Sequence, residues 1–185
     1  MTPRIASARI ALLRGVNLGN ARRVAMADVR AALEAAGWRE VRSVGQSGNL
    51  VFSSDRDEPE LEAEAEQILT ERLGLSTEVV VRDLPAWRAM MAANPFADEA
   101  RDDPGHLLVV VLKSDPQPGA EAAMAAIPGR ERARVIGRTA YIVYPDGIAG
   151  SRLGGAVLDK ALGARGTARN WNTIGKLAAL AGAAS

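Results

Sequence analysis

Three short segments combine arginine with amide or hydroxyl side chains, the residue types that proteins use to hold anions. They are residues 14–20 (RGVNLGN), 46–49 (QSGN) and 169–173 (RNWNT). An arginine fork, backbone N–H groups at glycines and side-chain amides together suit the capture of phosphate or carboxylate. We therefore predict a binding site for an anionic small molecule, a nucleotide or a nucleic-acid segment. The residues assigned to this site are Arg14, Asn17, Gln46, Ser47, Asn49, Arg169 and Asn170.

The same residues are compatible with two other functions. An enzyme acting on a phosphorylated or acyl substrate without a metal would use Arg14 and Arg169 as clamps and Ser47 or Thr173 as its nucleophile. A structural module would use the polar side chains only to hold its loops, and its exposed sheet edges would pair to form a homodimer. The residues alone leave these alternatives, and enzyme activity itself, open.

The composition excludes several kinds of site. The 185 residues include no cysteine and one histidine, His106, so thiolate sites and sites with several histidine ligands are excluded. A lone histidine at the start of an apolar strand gives no basis for a Ser-His-Asp triad. We expect neither a metal nor a cofactor.

The charge is unevenly distributed along the chain, although the net charge is only +1. Residues 1–50 hold eight arginines and three acids, whereas residues 51–82 hold three arginines and nine acids. Residues 147–185 hold five bases and one acid. Both basic portions contain the polar segments, and such asymmetry attracts anionic partners. The sequence shows neither a signal peptide nor a long apolar span, so we expect a cytoplasmic protein with no membrane partner.

Apolar periodicity in the first half predicts the order βαββαβ, which is the ferredoxin-like order. The first strand is apolar on both faces, so we expect a central position for it in the sheet. The second helix starts at Asp57, with Pro59 just inside, and stops at Gly74. The predicted strands are residues 9–13, 41–44, 50–52 and 79–81, and the predicted helices are residues 26–36 and 57–73.

The pattern restarts in the second half as βαββα. Its predicted strands are residues 107–112, 133–136 and 139–144, and its predicted helices are residues 84–93, 117–126, 156–162 and 172–181, with an acidic loop at residues 98–103. The sequence thus predicts an α+β protein of two ferredoxin-like (βαββαβ) halves with a C-terminal helix. We assign residues 1–83 to the first subdomain and residues 84–185 to the second.

The predicted topology places the polar segments of the first half together. In the ferredoxin-like order, strands one and two run parallel with strand three between them, so the connections that leave them lie at one edge of the sheet. Arg14 and Asn17 should therefore lie near Gln46, Ser47 and Asn49. We expect Arg169 and Asn170 to join them at the same rim.

Five motifs stand in a specific order along nearly the whole chain. They are residues 11–17 (ALLRGVN), 46–49 (QSGN), 94–96 (NPF), 144–147 (YPDG) and 167–173 (TARNWNT). Together they resemble the bacterial domain-of-unknown-function family numbered 1697. The resemblance implies two ferredoxin-like subdomains and no established activity, cofactor or catalytic residue.

This sequence departs from the family's usual pattern at three places. Ala25 precedes Met26 where a helix-opening proline is usual, and residues 44–45 (VG) replace an aromatic and an aliphatic residue. Residues 149–152 (AGSR) replace a stretch that usually carries two cations around the serine. The last difference weakens any anion site at Ser151.

Overall fold

The first half of the chain folds into a four-stranded antiparallel sheet with two helices, in a computed structural model that describes residues 6–17 and 23–183. Its elements are β1 (Ser7–Leu13), α1 (Met26–Glu34), β2 (Arg39–Ser43), β3 (Asn49–Ser54), α2 (Glu58–Leu73) and β4 (Val79–Asp83). The strand order is β2-β3-β1-β4. Since β3 is antiparallel to both β1 and β2, these two strands run parallel on either side of it, as in the ferredoxin-like fold.

Helix α2 shows why this stretch of sequence is helical. Pro59 lies in its first turn, where the missing N–H costs nothing, and Gly74 ends it in the left-handed region with φ 61°. Leu61, Ala65 and Leu69 recur at helical spacing and are buried against the sheet in the core of this half. The apolar side chains thus fix which face of α2 meets the strands.

The glutamates that flank this apolar face of α2 cover the free edge of β4. The backbone N–H groups of Val79, Val81 and Asp83 donate to the carboxylates of Glu66, Glu62 and Glu58, at 2.9, 2.9 and 3.1 Å respectively. Successive turns of α2 thus each supply one glutamate, and these glutamates accept hydrogen bonds from alternate residues of β4. Because these carboxylates accept the outward N–H groups of β4, another strand cannot pair with this edge of the sheet.

The second half repeats this architecture. Its elements are α3 (Leu84–Ala92), α4 (Ala97–Asp102), β5 (Leu107–Leu112), α5 (Ala120–Ala125), β6 (Arg132–Ile136), β7 (Thr139–Val143), α6 (Gly155–Leu162), β8 (Gly166–Asn170) and α7 (Trp171–Gly182). The sheet order is β6-β7-β5-β8, equivalent to that of the first sheet, and every pair is antiparallel. The predicted fold class, two ferredoxin-like α+β halves with a C-terminal helix, is confirmed.

Two elements differ from the expectation. The predicted acidic loop at residues 98–103 is the helix α4, whose short length and polar surface give no apolar periodicity. Strand β8 was not predicted, because GTARN lacks the apolar alternation of a strand; it completes the βαββαβ order of the second half.

The chain divides into two compact units, one of Met1–Ala89 with Lys176–Ser185 and one of Met90–Gly175. Each unit contains one sheet and its own apolar core. The subdomain boundary expected between residues 83 and 84 stays a prediction.

Candidate functional site

The structure brings together the two polar segments of the first unit. We call the surface formed by residues 14–17, after β1, and residues 44–49, from the end of β2 to the first residue of β3, the first loop edge. Asn17 joins its two parts, because its Nδ2 donates to the carbonyl oxygens of Gln46 at 2.6 Å and Val24 at 2.9 Å. Its Oδ1 accepts the N–H of Val24 at 2.8 Å. The predicted proximity of these segments is thus confirmed.

Asn49 and Gly48 hold the turn against β1. The N–H of Leu13 donates to the carbonyl oxygen of Gly48 at 2.8 Å, and the buried amide of Asn49 donates to the carbonyl oxygen of Val44 at 3.0 Å. Gly48 has φ 74°, and a Cβ placed there would lie 2.6 Å from Cγ2 of Val16. The turn therefore needs glycine both for its backbone angle and for its close approach to β1.

Arg14 lies at the start of this edge beside a carboxylate. Its N–H donates to the carbonyl oxygen of Glu78 at 2.9 Å, and its own carbonyl oxygen accepts the hydroxyl of Thr77 at 2.6 Å. The guanidinium Nε is 3.7 Å from Oε2 of Glu78, and 23% of the Arg14 side chain is exposed. Gln46 and Ser47 are exposed in the turn before β3. Arg14 is thus fixed by its backbone, while its charge faces a partly open surface.

Arg169 and Asn170 lie at the end of β8 in the second unit. Nη1 of Arg169 donates to Oγ1 of Thr167 at 2.6 Å and to the carbonyl oxygen of Ala168 at 2.8 Å. Burial lowers the pKa of Arg169 to about 10, so the guanidinium is charged at neutral pH. Oδ1 of Asn170 accepts the N–H of Thr173 at 3.0 Å, which makes Asn170 the N-cap of α7. A site shared by these residues and the first loop edge stays a prediction.

The second unit also contains a concavity of about 600 Å³ that the sequence did not indicate. Apolar side chains, among them Phe96, Met124 and Leu153, line it together with charged residues. The guanidinium of Arg132 lies 5.4 Å from the centre of the Phe96 ring and is paired with Glu99, and this hydrogen bond holds the pKa of Glu99 below its usual value.

Comparison with known proteins places the chain in a family. A model described as protein of unknown function (DUF1697) matches residues 7–141. The chain belongs to this family. The five motifs of the sequence thus led to the right family, and the family brings no activity with it.

A solved structure shows the same fold. The chain is similar to a conserved bacterial protein from Streptococcus pneumoniae, with a TM-score of 0.74 and 18% sequence identity. The match covers 95% of this chain and 99% of the other. No curated protein matches the chain.

Ser151 is hydrogen-bonded to a carboxylate. The hydroxyl of Ser151 donates to Glu131, and its oxygen accepts the N–H of Leu153 at 3.0 Å. The hydrogen bond from Ser151 lowers the pKa of Glu131, which keeps this carboxylate charged. A carboxylate in contact with Ser151 opposes the binding of an anion at this position.

Residues 6–17 and 23–183, which the structure describes, contain neither clustered metal ligands nor a membrane-crossing helix. Among these residues, no group of three or more His, Cys, Asp or Glu side chains converges as a metal site would require. Within the same residues, no helix combines the length and the apolar character needed to cross a membrane.

Proposed function

We propose that this protein binds an anionic ligand at the first loop edge. The ligand is a nucleotide, a phosphorylated small molecule or a nucleic-acid segment. The observation that carries the proposal is the bridge made by Asn17, which joins the connection after β1 to the turn before β3. The segments that it joins carry Arg14, Gln46 and Ser47, and the last two of these are exposed.

The polar residues of this edge divide into two roles. Asn17 and Asn49 use their amides to hold the loops, since both donate to backbone carbonyl oxygens. Arg14, Gln46 and Ser47 supply the donors that meet the ligand. Groups held in place before binding lose less entropy on binding, which favours affinity. The participation of Arg169 and Asn170 is part of the proposal and needs its own variants.

Glu78 limits which anions can bind. Its carboxylate is 3.7 Å from Nε of Arg14, beyond an ordinary hydrogen bond, and 31% of its side chain is exposed. Oε2 itself is buried, although the side chain as a whole is partly exposed. A ligand that binds Arg14 must therefore compete with a carboxylate, and one that offers two oxygens to the guanidinium is favoured in this competition.

The test is a thermal-shift screen of the full chain against nucleotides, sugar phosphates and short single-stranded DNA. For a ligand found in this way, Arg14→Gln should weaken the affinity about tenfold or more, because a hydrogen bond to a charged group contributes roughly 1.5–3 kcal/mol. Arg169→Gln, measured in the same way, tests whether the second unit contributes. A nucleic-acid ligand must also lose affinity steeply as salt is added.

Arg72→Gln is the matched control, since this arginine is exposed in the last turn of α2. Its affinity for the ligand should equal that of the natural chain. The proposal is wrong if Arg14→Gln, folded as judged by circular dichroism, binds the ligand as tightly as the control does.

A further inference from the structure

The concavity of the second unit lies along the edge of strand β6. It is lined by four consecutive residues, 131–134, of which the last three belong to β6, and by residues of α5. Successive side chains of a strand point to opposite faces of the sheet, so a concavity lined by all four lies beside the edge of the strand. Strand β6 is outermost in the order β6-β7-β5-β8, which leaves this edge unpaired in the sheet. We call the concavity between residues 131–134 and α5 the β6 groove.

The outward N–H groups of β6 are only partly covered. The N–H of Val135 donates to Oε2 of Glu121 at 2.8 Å, so it points away from β7. Ala133 lies two residues earlier in the same regular register, in which Ala133 pairs with Ile142 and Val135 with Ala140. Its N–H therefore points to the same side as that of Val135. Within the described residues, no side chain covers the N–H of Ala133.

The composition of α5 explains why this N–H is left uncovered. In the first sheet, the sixteen-residue helix α2 supplies three glutamates to three N–H groups of β4. Helix α5 has six residues, and Glu121 is its one acid. The residues of α5 that follow Glu121 and line the β6 groove are Ala122, Met124 and Ala125, and none of them carries a carboxylate.

The groups that cover the rest of this edge are exposed side chains. Nη1 of Arg134 donates to the carbonyl oxygen of Ala133 at 3.0 Å and lies 3.5 Å from Oε1 of Glu121. The side chains of Arg134 and Glu121 are 60% and 42% exposed. An ion pair this exposed contributes little stability, so an entering peptide can replace it. Glu121 thus holds, with one carboxylate, an N–H group and a guanidinium that a peptide can also engage.

The side chains of β6 determine which peptide fits. Arg132 and Arg134 stand at alternate positions of the strand, hence on one face, and both are exposed. Arg132 is paired with Glu99. Ala133 and Val135 face the other side and pack against the apolar core. Because opposite charges on neighbouring strands stabilise their pairing, a strand beside β6 is favoured when it alternates acidic and apolar residues.

Pairing between two copies of β6 is disfavoured by the same arginines. Two antiparallel copies centred on Ala133 would place Arg132 of each copy opposite Arg134 of the other. Like charges directly opposite each other destabilise a strand pair. The charge of this edge therefore favours a segment of a different protein over a second copy of this chain.

We propose that the β6 groove binds an extended peptide segment of another protein, which adds a strand to β6 and carries acidic residues at alternate positions. Carbonyl groups of the peptide accept the N–H of Ala133 and, once Glu121 moves aside, that of Val135. The carbonyl oxygen of Ala133 has a second lone pair for a peptide N–H. Acidic side chains of the peptide face Arg132 and Arg134. Main-chain hydrogen bonds supply the affinity of such a complex, and the alternate side chains supply its specificity.

The experiment measures the fluorescence anisotropy of a labelled peptide of alternating glutamate and valine, added to the full chain. A peptide with lysine in place of glutamate should bind about tenfold more weakly or less. Ala133→Pro removes the outward N–H and no hydrogen bond to β7, so the fold should persist while peptide binding is lost. Ala133→Ser keeps the N–H and is the matched control, which should bind as the natural chain does. Circular dichroism checks the fold of both variants.

Two variants change the side chains that meet the peptide. Arg134→Gln should weaken binding about fivefold, whereas Arg72→Gln, at an exposed position of the first unit, should leave it unchanged. Glu121→Ala should tighten binding about fivefold, because it frees the N–H of Val135 for the peptide. A purely structural role of Glu121 predicts no gain, so this variant keeps the test decisive if Ala133→Pro does not fold.

Four results would overturn the proposal. They are a natural chain that does not bind the acidic peptide, equal binding of the lysine peptide, a folded Ala133→Pro that binds as tightly as Ala133→Ser, and Glu121→Ala without a gain in affinity. A dimer in light scattering that Ala133→Pro separates would assign the edge to a second copy and also overturn it.

This inference does not depend on the function proposed for the first loop edge. Arg14→Gln should retain binding of the acidic peptide, so failure of the β6 groove and failure of the first loop edge give different patterns. Loss of peptide binding in Arg14→Gln, with Arg134→Gln unaffected, would assign the acidic peptide to the first loop edge and overturn the proposal.

Discussion

The loop edges of the two sheets have the same backbone frame and different chemistry. In the first half, the N–H of Leu13 donates to the carbonyl oxygen of Gly48, before β3, and the N–H of Arg14 donates to that of Glu78, before β4. In the second half, the N–H of Leu112 donates to the carbonyl oxygen of Arg138, before β7, and the N–H of Lys113 donates to that of Arg165, before β8. At the first edge, the adjoining turn is rich in amide side chains, and Asn17 donates a hydrogen bond to it at Gln46. The second has a short hairpin turn at Gly137, and basic residues stand where its strands begin or end. The comparison teaches that hydrogen bonds between strands set where a side chain stands, while the connections decide what it can bind.

The two edge strands β4 and β8 also differ in how they are covered. Arg82 and Arg169 occupy equivalent positions, since Nη1 of each donates to the carbonyl oxygen of the preceding residue, at 2.6 and 2.8 Å. In the first half, Glu58 and Glu62 lie 3.5 and 3.7 Å from Nη1 of Arg82. In the second half, α6 (GAVLDKAL) carries one acid instead of a row of glutamates. A row of glutamates along an edge strand is thus particular to the first sheet.

The largest effect is expected from Glu62→Ala in the first sheet. The change leaves the N–H of Val81 without its acceptor and removes a carboxylate near the buried Arg82. We expect a loss of about 3 kcal/mol or more in the free energy of unfolding, measured with urea. Glu60→Ala, at an exposed position on the same helix, is the control and should cost less than about 0.5 kcal/mol. Equal losses in both variants would show that β4 does not depend on this carboxylate.

The next largest loss of stability is expected at Gly48, and the equivalent position of the second loop edge should show little loss. Gly48→Ala should cost about 2–4 kcal/mol, because the turn requires φ 74° and the new Cβ meets Val16 and Leu13 at 2.6 and 2.7 Å. Arg138→Ala, at the equivalent place in the second half, should change the stability by less than about 0.5 kcal/mol.

Gly45→Ala separates the two causes, since Gly45 has φ 63° and no atom within 4 Å of a Cβ. It should cost about 1 kcal/mol, from the backbone angle alone. Equal costs at Gly45 and Gly48 would remove the role assigned to close packing against β1.

Alkaline titration probes the second half alone, because both tyrosines of the chain, Tyr141 and Tyr144, belong to its sheet region. Burial raises the pKa of each phenol to about 12. Because the pKa of each phenol is higher in the folded state than in the unfolded chain, the two neutral tyrosines contribute fully to the stability of the fold below about pH 10. This contribution is lost as the pH rises through about 12. Absorbance near 295 nm should therefore show tyrosinate only near pH 12, and a transition near pH 10 in the folded chain would contradict the buried positions.

The smallest effect on stability is expected at the proposed ligand surface. Ser47 is exposed in the turn of the first loop edge. Ser47→Ala should change the free energy of unfolding by less than about 0.5 kcal/mol, because substitutions at exposed positions usually have small effects on stability. A loss above about 1 kcal/mol would show that Ser47 holds the loop, as the structural interpretation of this edge requires.

Much of the fold could be predicted because apolar residues recur with the periods of strands and helices. The bounds of β5 (Leu107–Leu112) match the apolar run, and Pro59 and Gly74 mark the ends of α2. Strand β8 and helix α4 were missed because their sequences, GTARN and ADEARD, are mainly polar or small. Such segments take their conformation from the neighbours they pair with or pack against, which local patterns do not contain.

The sequence by itself determined the ferredoxin-like order, and with it the proximity of Asn17 to Gln46, since strand order follows from topology. Only the tertiary structure decided that the amides of Asn17 and Asn49 hold loops, because the partner of an amide depends on which carbonyl group lies within about 3 Å. It alone also brought the backbone of Arg138 to Leu112 and that of Arg165 to Lys113. These residues become neighbours through hydrogen bonds between segments that are far apart along the chain.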